Sequence, residues 1–205
     1  MFFASAEGSC KGRCTEVLAR HCAGASSVEK AVDYWLKAGQ QAIARWAMTE
    51  GVAQLQKGLD LLSGMPDDAA RLEREIDLQI KLGQALSATK GYAAPEAGEA
   101  FARAHELCEL LSWPPKLEVL TGQFVFRLGR GELQEAEHYA NCIWRVGEAR
   151  NDPRWNAAGL ASTAFISFLR GRFTEARAYY EDAIGYGTRC IVPPLCRRTI
   201  LTWQA

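Results

Sequence analysis

A short spacing pattern recurs along the chain and limits what the chain can fold into. In the stretch GRFTEARAYYEDAI, a small residue is followed by a bulky residue four positions later and by a second small residue three positions after that. Residues at i, i+4 and i+7 lie on one face of an α-helix, where small side chains let a partner helix approach while the bulky one fills the groove. Five copies occur, the fourth of them degraded at its last two places: Ala31, Trp35 and Ala38; Gly51, Leu55 and Gly58; Ala97, Phe101 and Ala104; Ala136, Ala140 and Ile143; and Ala176, Tyr180 and Ala183.

Helix-breaking residues divide the chain into pieces of ordinary helix length. Asn-Gly and Asp-Gly hairpin turns are absent from the sequence, and period-two alternation is short, so strands are not expected. Pro95 and Pro153, the latter preceded by Asp152, fit the first turn of a helix. Gly171 fits a helix end, because glycine enters the left-handed conformation without a steric penalty. We predict an all-α fold. The breakers lie at Gly24, 64–67, 90–92, 113–115, 129–131, 151–153, Gly171 and 193–194.

A helix with such a contact face needs a neighbour before it and another after it, which is the logic of a solenoid of antiparallel helical hairpins. We therefore predict a helical repeat domain at 15–187, with a poorly ordered segment at 1–14 and an atypical tail at 188–205 that need not be ordered. A non-repetitive helical bundle is the alternative. The second helices of the hairpins are expected near 28–39, 49–63, 95–111, 132–149 and 172–186.

The charge balance and the hydropathy bound the partners and the location. Lys plus Arg and Asp plus Glu each total 24, so no net field attracts nucleic acid or anionic lipid. The N-terminal stretch MFFASAEGSC lacks the basic region of a secretory signal, and no run approaches the roughly 18 apolar residues of a membrane span. We expect a cytoplasmic protein that binds neither nucleic acid nor a membrane.

The strongest candidate for a metal site is the N-terminal group of Cys10, Cys14, His21 and Cys22. Thiolates and imidazoles are zinc ligands, but this spacing matches no structural zinc motif, and no second paired cluster follows. The seven cysteines form an odd, irregular set, for which reduced thiols are the simpler interpretation. We expect no metal and no cofactor.

The remaining candidates for chemistry are two histidines and a charged run. His105 and His138 lack a neighbouring Ser or Cys with an orienting carboxylate, although such a site can assemble from distant residues. The run DDAARLEREIDLQIK is interpreted as a solvated helix face. We therefore expect no catalytic residues.

These residues resemble the tetratricopeptide repeat family. In that family, the second helix of each repeat follows a turn glycine and carries an aromatic residue, then an alanine, a Tyr or Phe and another alanine at fixed places. The match is full at Gly171, Phe173, Ala176, Tyr180 and Ala183 and partial at Gly131, Leu133, Ala136 and Tyr139, whereas Leu160 and Ala164 stand where the family prefers Trp and Gly.

A narrower resemblance covers about residues 15 to 187. The segments EKAVDYWLKAG and ATKGYAAPE are similar to the C-terminal helical region of bacterial signalling proteins that carry a class III adenylate cyclase domain and an AAA-type ATPase domain. The P-loop pattern is absent from this sequence, and so is a strand setting for cyclase metal ligands. Because the first dozen residues and the tail depart from that family, the hypothesis is that the chain is a fragment, with a tail that could be out of frame.

The resemblance implies a non-catalytic module whose first helices line a groove for a peptide or a partner helix, or for other domains of a larger signalling protein. Phe165 and Phe168 would suit an apolar anchor, or would pack on a further repeat. A ligand-sensing regulatory domain that controls a cyclase or ATPase is the alternative function. The implied groove residues are Glu118, Thr121, Val125 and Leu128 in one repeat and Ala158, Ala161, Phe165 and Phe168 in the next.

Overall fold

The structure is a computed structural model that describes the backbone of residues 4–24 and 27–187 and the side chains of residues 14–24 and 27–186. Within these ranges the chain forms nine helices and no strand, which confirms the predicted all-α class. Cys10, at the side-chain level, and the predicted tail at 188–205 lie outside the described residues. The chain divides into two compact units, unit 1 (Met1–Pro115) and unit 2 (Lys116–Ala205).

The described part of unit 1 contains five helices, and consecutive helices within the unit pack against each other. In addition α2 contacts α4, so alternate helices also meet. The main core is a set of aliphatic side chains between α2, α3 and α4, including Val32, Leu55 and Leu78. The bounds are α1 (Ala4–Gly24), α2 (Val28–Ala44), α3 (Met48–Leu62), α4 (Ala69–Lys90) and α5 (Pro95–Leu110).

Up to residue 187, unit 2 contains four helices with the same pattern of contacts, because consecutive helices pack together and α6 also contacts α8. One core cluster joins Phe124, Ala136 and Ile166 from three successive helices. The first half of α8 is buried on all sides, from Trp155 to Ser162. The bounds are α6 (Leu117–Gly129), α7 (Leu133–Arg150), α8 (Pro153–Leu169) and α9 (Phe173–Gly187).

The expected helix starts and the expected stop at Gly171 are confirmed. Pro95 occupies the first turn of α5, and the Asp152 side chain caps α8 by accepting a hydrogen bond from the backbone N–H of Arg154 at 2.9 Å. Gly171 follows α8 with φ of 74°, in the left-handed region that its missing Cβ permits. Its N–H donates to the Phe168 carbonyl, and the next N–H donates to the Ser167 carbonyl, which are the two bonds of a Schellman motif.

One helix boundary falls where the sequence has no breaker. α2 ends before Trp46, whose φ is 65° and whose surface is 84% exposed. The Trp46 N–H donates to the Ile43 carbonyl, and the Ala47 N–H donates to the Ala42 carbonyl. These bonds repeat the Schellman pattern seen at Gly171, with tryptophan in the glycine position.

The recurrent trios lie on helix faces that are covered by neighbouring helices. Every member of the five trios is buried except Tyr180, which is half-buried against Leu160, Ala161 and Ala183. Small residues at such places let helix axes come close. Among the described helices none is long and apolar enough to cross a membrane.

The first trio belongs to α2, where Trp35 and Ala38 are buried among the helices of unit 1. The position that a Cβ of Gly58 would take lies 3.4 Å from the Trp35 Cβ, so α2 and α3 approach closely here. The Lys57 ammonium group of α3 lies over the Trp35 ring, 4.8 Å from its centroid. The Trp35 ring is therefore held between an apolar crossing and a charged group, and it offers no free surface to a ligand.

The third trio belongs to α5, where Phe101 and Ala104 are also buried. A Cβ built on Gly83 of α4 would lie 2.8 Å from the Phe101 ring, so this ring packs directly on the α4 backbone. The burial of Trp35, Ala38, Phe101 and Ala104 is a fact of helix packing, whereas their assignment to repeat positions stays a prediction.

Candidate interaction site

The predicted groove residues of α6 are half-buried, and most of them make contacts within unit 2. Val125 and Leu128 pack against the core cluster around Phe124 and Ile166. The Thr121 hydroxyl bonds within its own helix, donating to the Leu117 carbonyl at 2.8 Å. Glu118 is half-buried in the first turn of the helix.

The predicted groove residues of α8 fall into two pairs. Ala158 and Ala161 are 5% and 2% exposed, because the first half of α8 is enclosed by other helices. They contribute packing rather than accessible surface. Phe165 and Phe168 lie one helix turn apart near the end of α8 and are half-buried. Of the four residues, only these two leave an appreciable part of their side chain accessible to solvent.

A third phenylalanine, which the groove prediction did not include, joins this pair. The Phe165 and Phe168 rings are 6.3 Å apart, and the Phe168 and Phe173 rings meet edge to face at 5.6 Å. Phe173 begins α9 and is 53% exposed, while Leu169 beside the pair is 46% exposed. We call Phe165, Phe168, Leu169 and Phe173 the Phe face. The sequence signal for Phe173 was its place two residues after the turn glycine, which brings it back over α8.

Ion pairs fix the charged side chains near the turn that follows α8. Arg170 donates two hydrogen bonds to the Glu137 carboxylate of α7, at 2.8 and 2.7 Å. This hydrogen bonding lowers the pKa of Glu137 and raises the pKa of Arg170. Arg172 lies 3.6 Å from Glu175. Each of the two arginines beside the Phe face therefore has a carboxylate partner.

A cleft opens on another part of unit 2, where α9 lies beside α7 and α8. It has a volume of about 480 Å³ and is open to solvent on one side. Aromatic rings from α7 and α9, two carboxylates and two apolar contacts surround it. The lining residues are Trp144, Leu160, Glu181, Asp182, Gly185 and Tyr186.

The charged run on α4 is not wholly solvated, so that interpretation is corrected. Glu75 is only 7% exposed, and it joins two arginines in a network within unit 1. Its carboxylate accepts a hydrogen bond from Arg103 of α5 at 2.8 Å and lies 3.4 Å from Arg71. A buried carboxylate needs such partners to offset its loss of hydration. The helical spacing alone did not show which carboxylate would be covered by α5.

The other candidates for chemistry are also placed. His138 lies 3.6 Å from the Cys142 sulfur, one turn along α7, and His105 lies 3.5 Å from Glu109 on α5. Each is a contact between side chains of one helix. Over the described residues no group of three His, Cys, Asp or Glu side chains could hold a metal ion, and this range includes Cys14, His21 and Cys22.

Comparison with known proteins finds no family model that matches the chain. It also finds no curated protein with significant sequence similarity. The resemblance to tetratricopeptide repeats and to the cyclase and ATPase signalling proteins therefore stays a prediction.

Proposed function

We propose that the chain is a non-catalytic protein-interaction module, built as a tetratricopeptide-like solenoid, that binds an apolar segment of a partner protein through the Phe face. The observation that carries this proposal is the continuous contact of three phenylalanine rings, of which Phe173 is more than half exposed. Apolar rings grouped on a surface commonly mark a contact site.

The surroundings of the Phe face favour an apolar anchor over a charged ligand. Arg170 and Arg172 are paired with Glu137 and Glu175, so the polar rim has no described arginine left to recruit an anion. An apolar centre with a polar rim is the usual anatomy of a protein interface. A partner segment with an aromatic or aliphatic side chain at its centre would fit.

The helix contacts support a hairpin register for the proposed solenoid. In unit 1, α2 meets α4, and in unit 2, α6 meets α8, as first helices of successive hairpins would. The proposal therefore takes α2, α4, α6 and α8 as first helices and α3, α5, α7 and α9 as second helices.

This register changes the expected role of one trio. Ala31, Trp35 and Ala38 were placed on a second helix at 28–39, but the segment lies in α2, and the next helix along the chain, α3, carries a trio of its own. Two consecutive helices cannot both be second helices of successive hairpins. The proposal therefore moves this trio to a first helix, whereas Phe101 and Ala104 of α5 keep their place on a second helix.

A display experiment tests the Phe face. Random peptides displayed on phage are selected against the whole chain, and the enriched peptides are measured against a variant that combines Phe165→Ala with Phe168→Ala. We expect enriched peptides with a central apolar anchor and a loss of affinity of at least about tenfold, because truncating central aromatic residues removes most of an interface's binding energy.

Two further variants make the result interpretable. Tyr179→Ala removes an exposed ring of α9 outside the Phe face and should leave peptide affinity unchanged. Phe173→Ser changes the most exposed member of the face and should weaken binding even if the double variant loses helicity. Selection of no peptide, or equal affinity of the double variant, would refute the proposal.

We also propose that the chain is a cytoplasmic relative of the cyclase and ATPase signalling proteins, because segments 29–39 and 88–96 resemble segments of those proteins. Sequencing the DNA upstream of the Met1 codon checks it. We expect a neighbouring or continuous reading frame with a cyclase or P-loop ATPase domain. An upstream region without either would contradict this setting and leave the interaction proposal untouched.

A ligand-sensing regulatory domain is the second candidate function. One observation favours it, namely the cleft of about 480 Å³ with two carboxylates and two aromatic rings among its lining. Ligand sites commonly combine this size with a few convergent polar groups.

A further inference from the structure

We infer that the cleft between α7, α8 and α9 binds an organic cation, meaning an ammonium or guanidinium group carried on an apolar body. This goes beyond the interaction proposal, because the cleft shares no residue with the Phe face. The argument rests on the charge of the lining, its aromatic rings and the support of Trp144.

The described lining of the cleft carries charge of one sign. Among the described lining residues, the ionisable ones apart from the Tyr186 phenol are Glu181 and Asp182, and both are carboxylates. Glu181 is shared with Arg177, which donates to it at 2.7 Å. Asp182 is exposed and makes no hydrogen bond or ion pair with any residue in the described ranges. The Asp182 carboxylate is therefore available to a positively charged ligand.

The aromatic lining suits the same kind of ligand. The face of a Trp or Tyr ring attracts a cation through the ring quadrupole. Trp144 comes from α7, and Tyr186, which is 41% exposed, comes from α9. Leu160 and Gly185 add contacts for a methylene or methyl group. Rings, carboxylate and apolar contacts together favour a cation with an apolar body over a hydrated metal ion.

Trp144 is well supported by the packing of α7 on α8. A Cβ built on Gly159 would lie 2.8 Å from the Trp144 Cα, so the two helix backbones are in direct contact here. The Trp144 side chain also packs against Leu160, Ala161 and Ala183. Because the Trp144 side chain is held in this way, it loses little conformational freedom when a ligand binds, and this favours affinity.

The volume and the open side limit the size of the ligand. About 480 Å³ lies within the ordinary range of small-molecule sites. Because one side is open, the cation could be a small free amine or the basic side chain of a peptide. These two sources share the recognition chemistry, and the experiment below separates them.

Two probes and their neutral counterpart test the inference by NMR titration of the whole, isotopically labelled chain. Choline chloride represents a free quaternary amine, N-acetyl-arginine methylamide represents a peptide side chain, and 3,3-dimethylbutanol is the uncharged carbon analogue of choline. We expect saturable shifts of the Trp144 indole and the α9 amides with at least one cation, and none with the alcohol. The tighter cation identifies the source.

Variants assign the binding to the named side chains. Asp182→Asn should weaken cation binding by at least about fivefold, whereas Glu135→Gln removes one exposed charge near the start of α7, outside the cleft and the Phe face, and should have little effect. Tyr186→Phe keeps the ring and should retain binding, whereas Tyr186→Leu should lose it. Peptide binding at the Phe face should be unchanged in all four variants. Equal shifts with the alcohol, or full affinity in Asp182→Asn, would overturn the inference.

Discussion

The glycines at two helix crossings, Gly159 in unit 2 and Gly58 in unit 1, face different kinds of atoms. In unit 2, the Cβ that Gly159 lacks would meet the backbone of α7, at 2.8 Å from the Trp144 Cα and 2.9 Å from its nitrogen. In unit 1, the Cβ that Gly58 lacks would meet only side chains, at 3.0 and 3.2 Å from the Leu78 methyl groups. A methyl group can turn aside, whereas a helix backbone cannot. Glycine is therefore required by the geometry of the first crossing, whereas the second crossing could accommodate a larger residue.

At the helix ends, by contrast, the less favourable geometry lies in unit 1 and not in unit 2. In unit 2, Gly131 and Gly171 occupy the left-handed position with φ of 76° and 74°, and Asn151, a residue type that tolerates this conformation, occupies it with φ of 49°. In unit 1, Trp46 adopts the same position with φ of 65° and with the same hydrogen bonds. A non-glycine residue costs about 1–2 kcal/mol there, and an 84% exposed ring returns little burial energy. Unit 1 thus places a bulky residue in a conformation for which unit 2 uses only Gly or Asn among its described residues.

Gly159→Ala should have the largest effect. The added methyl group forces α7 and α8 apart, and overpacking of this kind against backbone should cost about 3 kcal/mol. Gly58→Ala is the matched change in unit 1, where better helix propensity offsets the contact with Leu78, so the net effect should stay within about 1 kcal/mol. Urea denaturation of both variants checks the difference. Equal losses would show that the two crossings are equally tight.

Gly171→Ala should come next, with a loss of about 1 kcal/mol. Nothing lies within 4 Å of the added Cβ, so the cost comes only from the left-handed backbone. The measurement is the urea midpoint of the whole chain. A variant as stable as the wild type would mean that the turn relaxes out of the Schellman geometry, and amide exchange at Arg172 would then be faster.

Trp46→Gly should change stability in the other direction. Relief of the left-handed strain, partly offset by the greater freedom of glycine in the unfolded chain, should stabilise unit 1 by about 0.5–1 kcal/mol. Trp46→Ala is the control, because it removes the ring but keeps the strain, and it should be nearly neutral. If Trp46→Ala stabilises as much as Trp46→Gly, the exposed ring and not the backbone is the cause.

These turns also explain how far the sequence could be read. The all-α class and the end at Gly171 were visible because glycine, proline and the trio spacing are local signals. The end of α2 carried no such signal, because its left-handed residue is a tryptophan. Its position depends on the packing of α2 against α3, where Gly39 meets the Leu55 side chain, and that is not a local property.

Less of the candidate site than of the fold could be predicted from the sequence, for a related reason. Phe165 and Phe168 were found from their places in the repeat pattern, and the same pattern also suggested Ala158 and Ala161, which tertiary packing buries. Phe173 and the cleft residues come together only through the crossing of α7, α8 and α9. Helical spacing shows which residues share a face, but not which faces a neighbouring helix will cover.

The smallest effect should come from the ion pair beside Gly171. Hydrogen bonding to Arg170 lowers the folded-state pKa of Glu137 below its unfolded value of about 4.3. The pair's contribution is therefore complete above about pH 4.3 and disappears as the pH falls through the lower folded value. Glu137→Gln should melt about 1–2 °C below the wild type at pH 6, because exposed pairs contribute little. The gap should narrow, and then close, as the pH falls below the lowered pKa of Glu137. A gap that persists there would mean that the substitution disturbs packing near the turn, and the glycine comparison would then need to include the surroundings of α7.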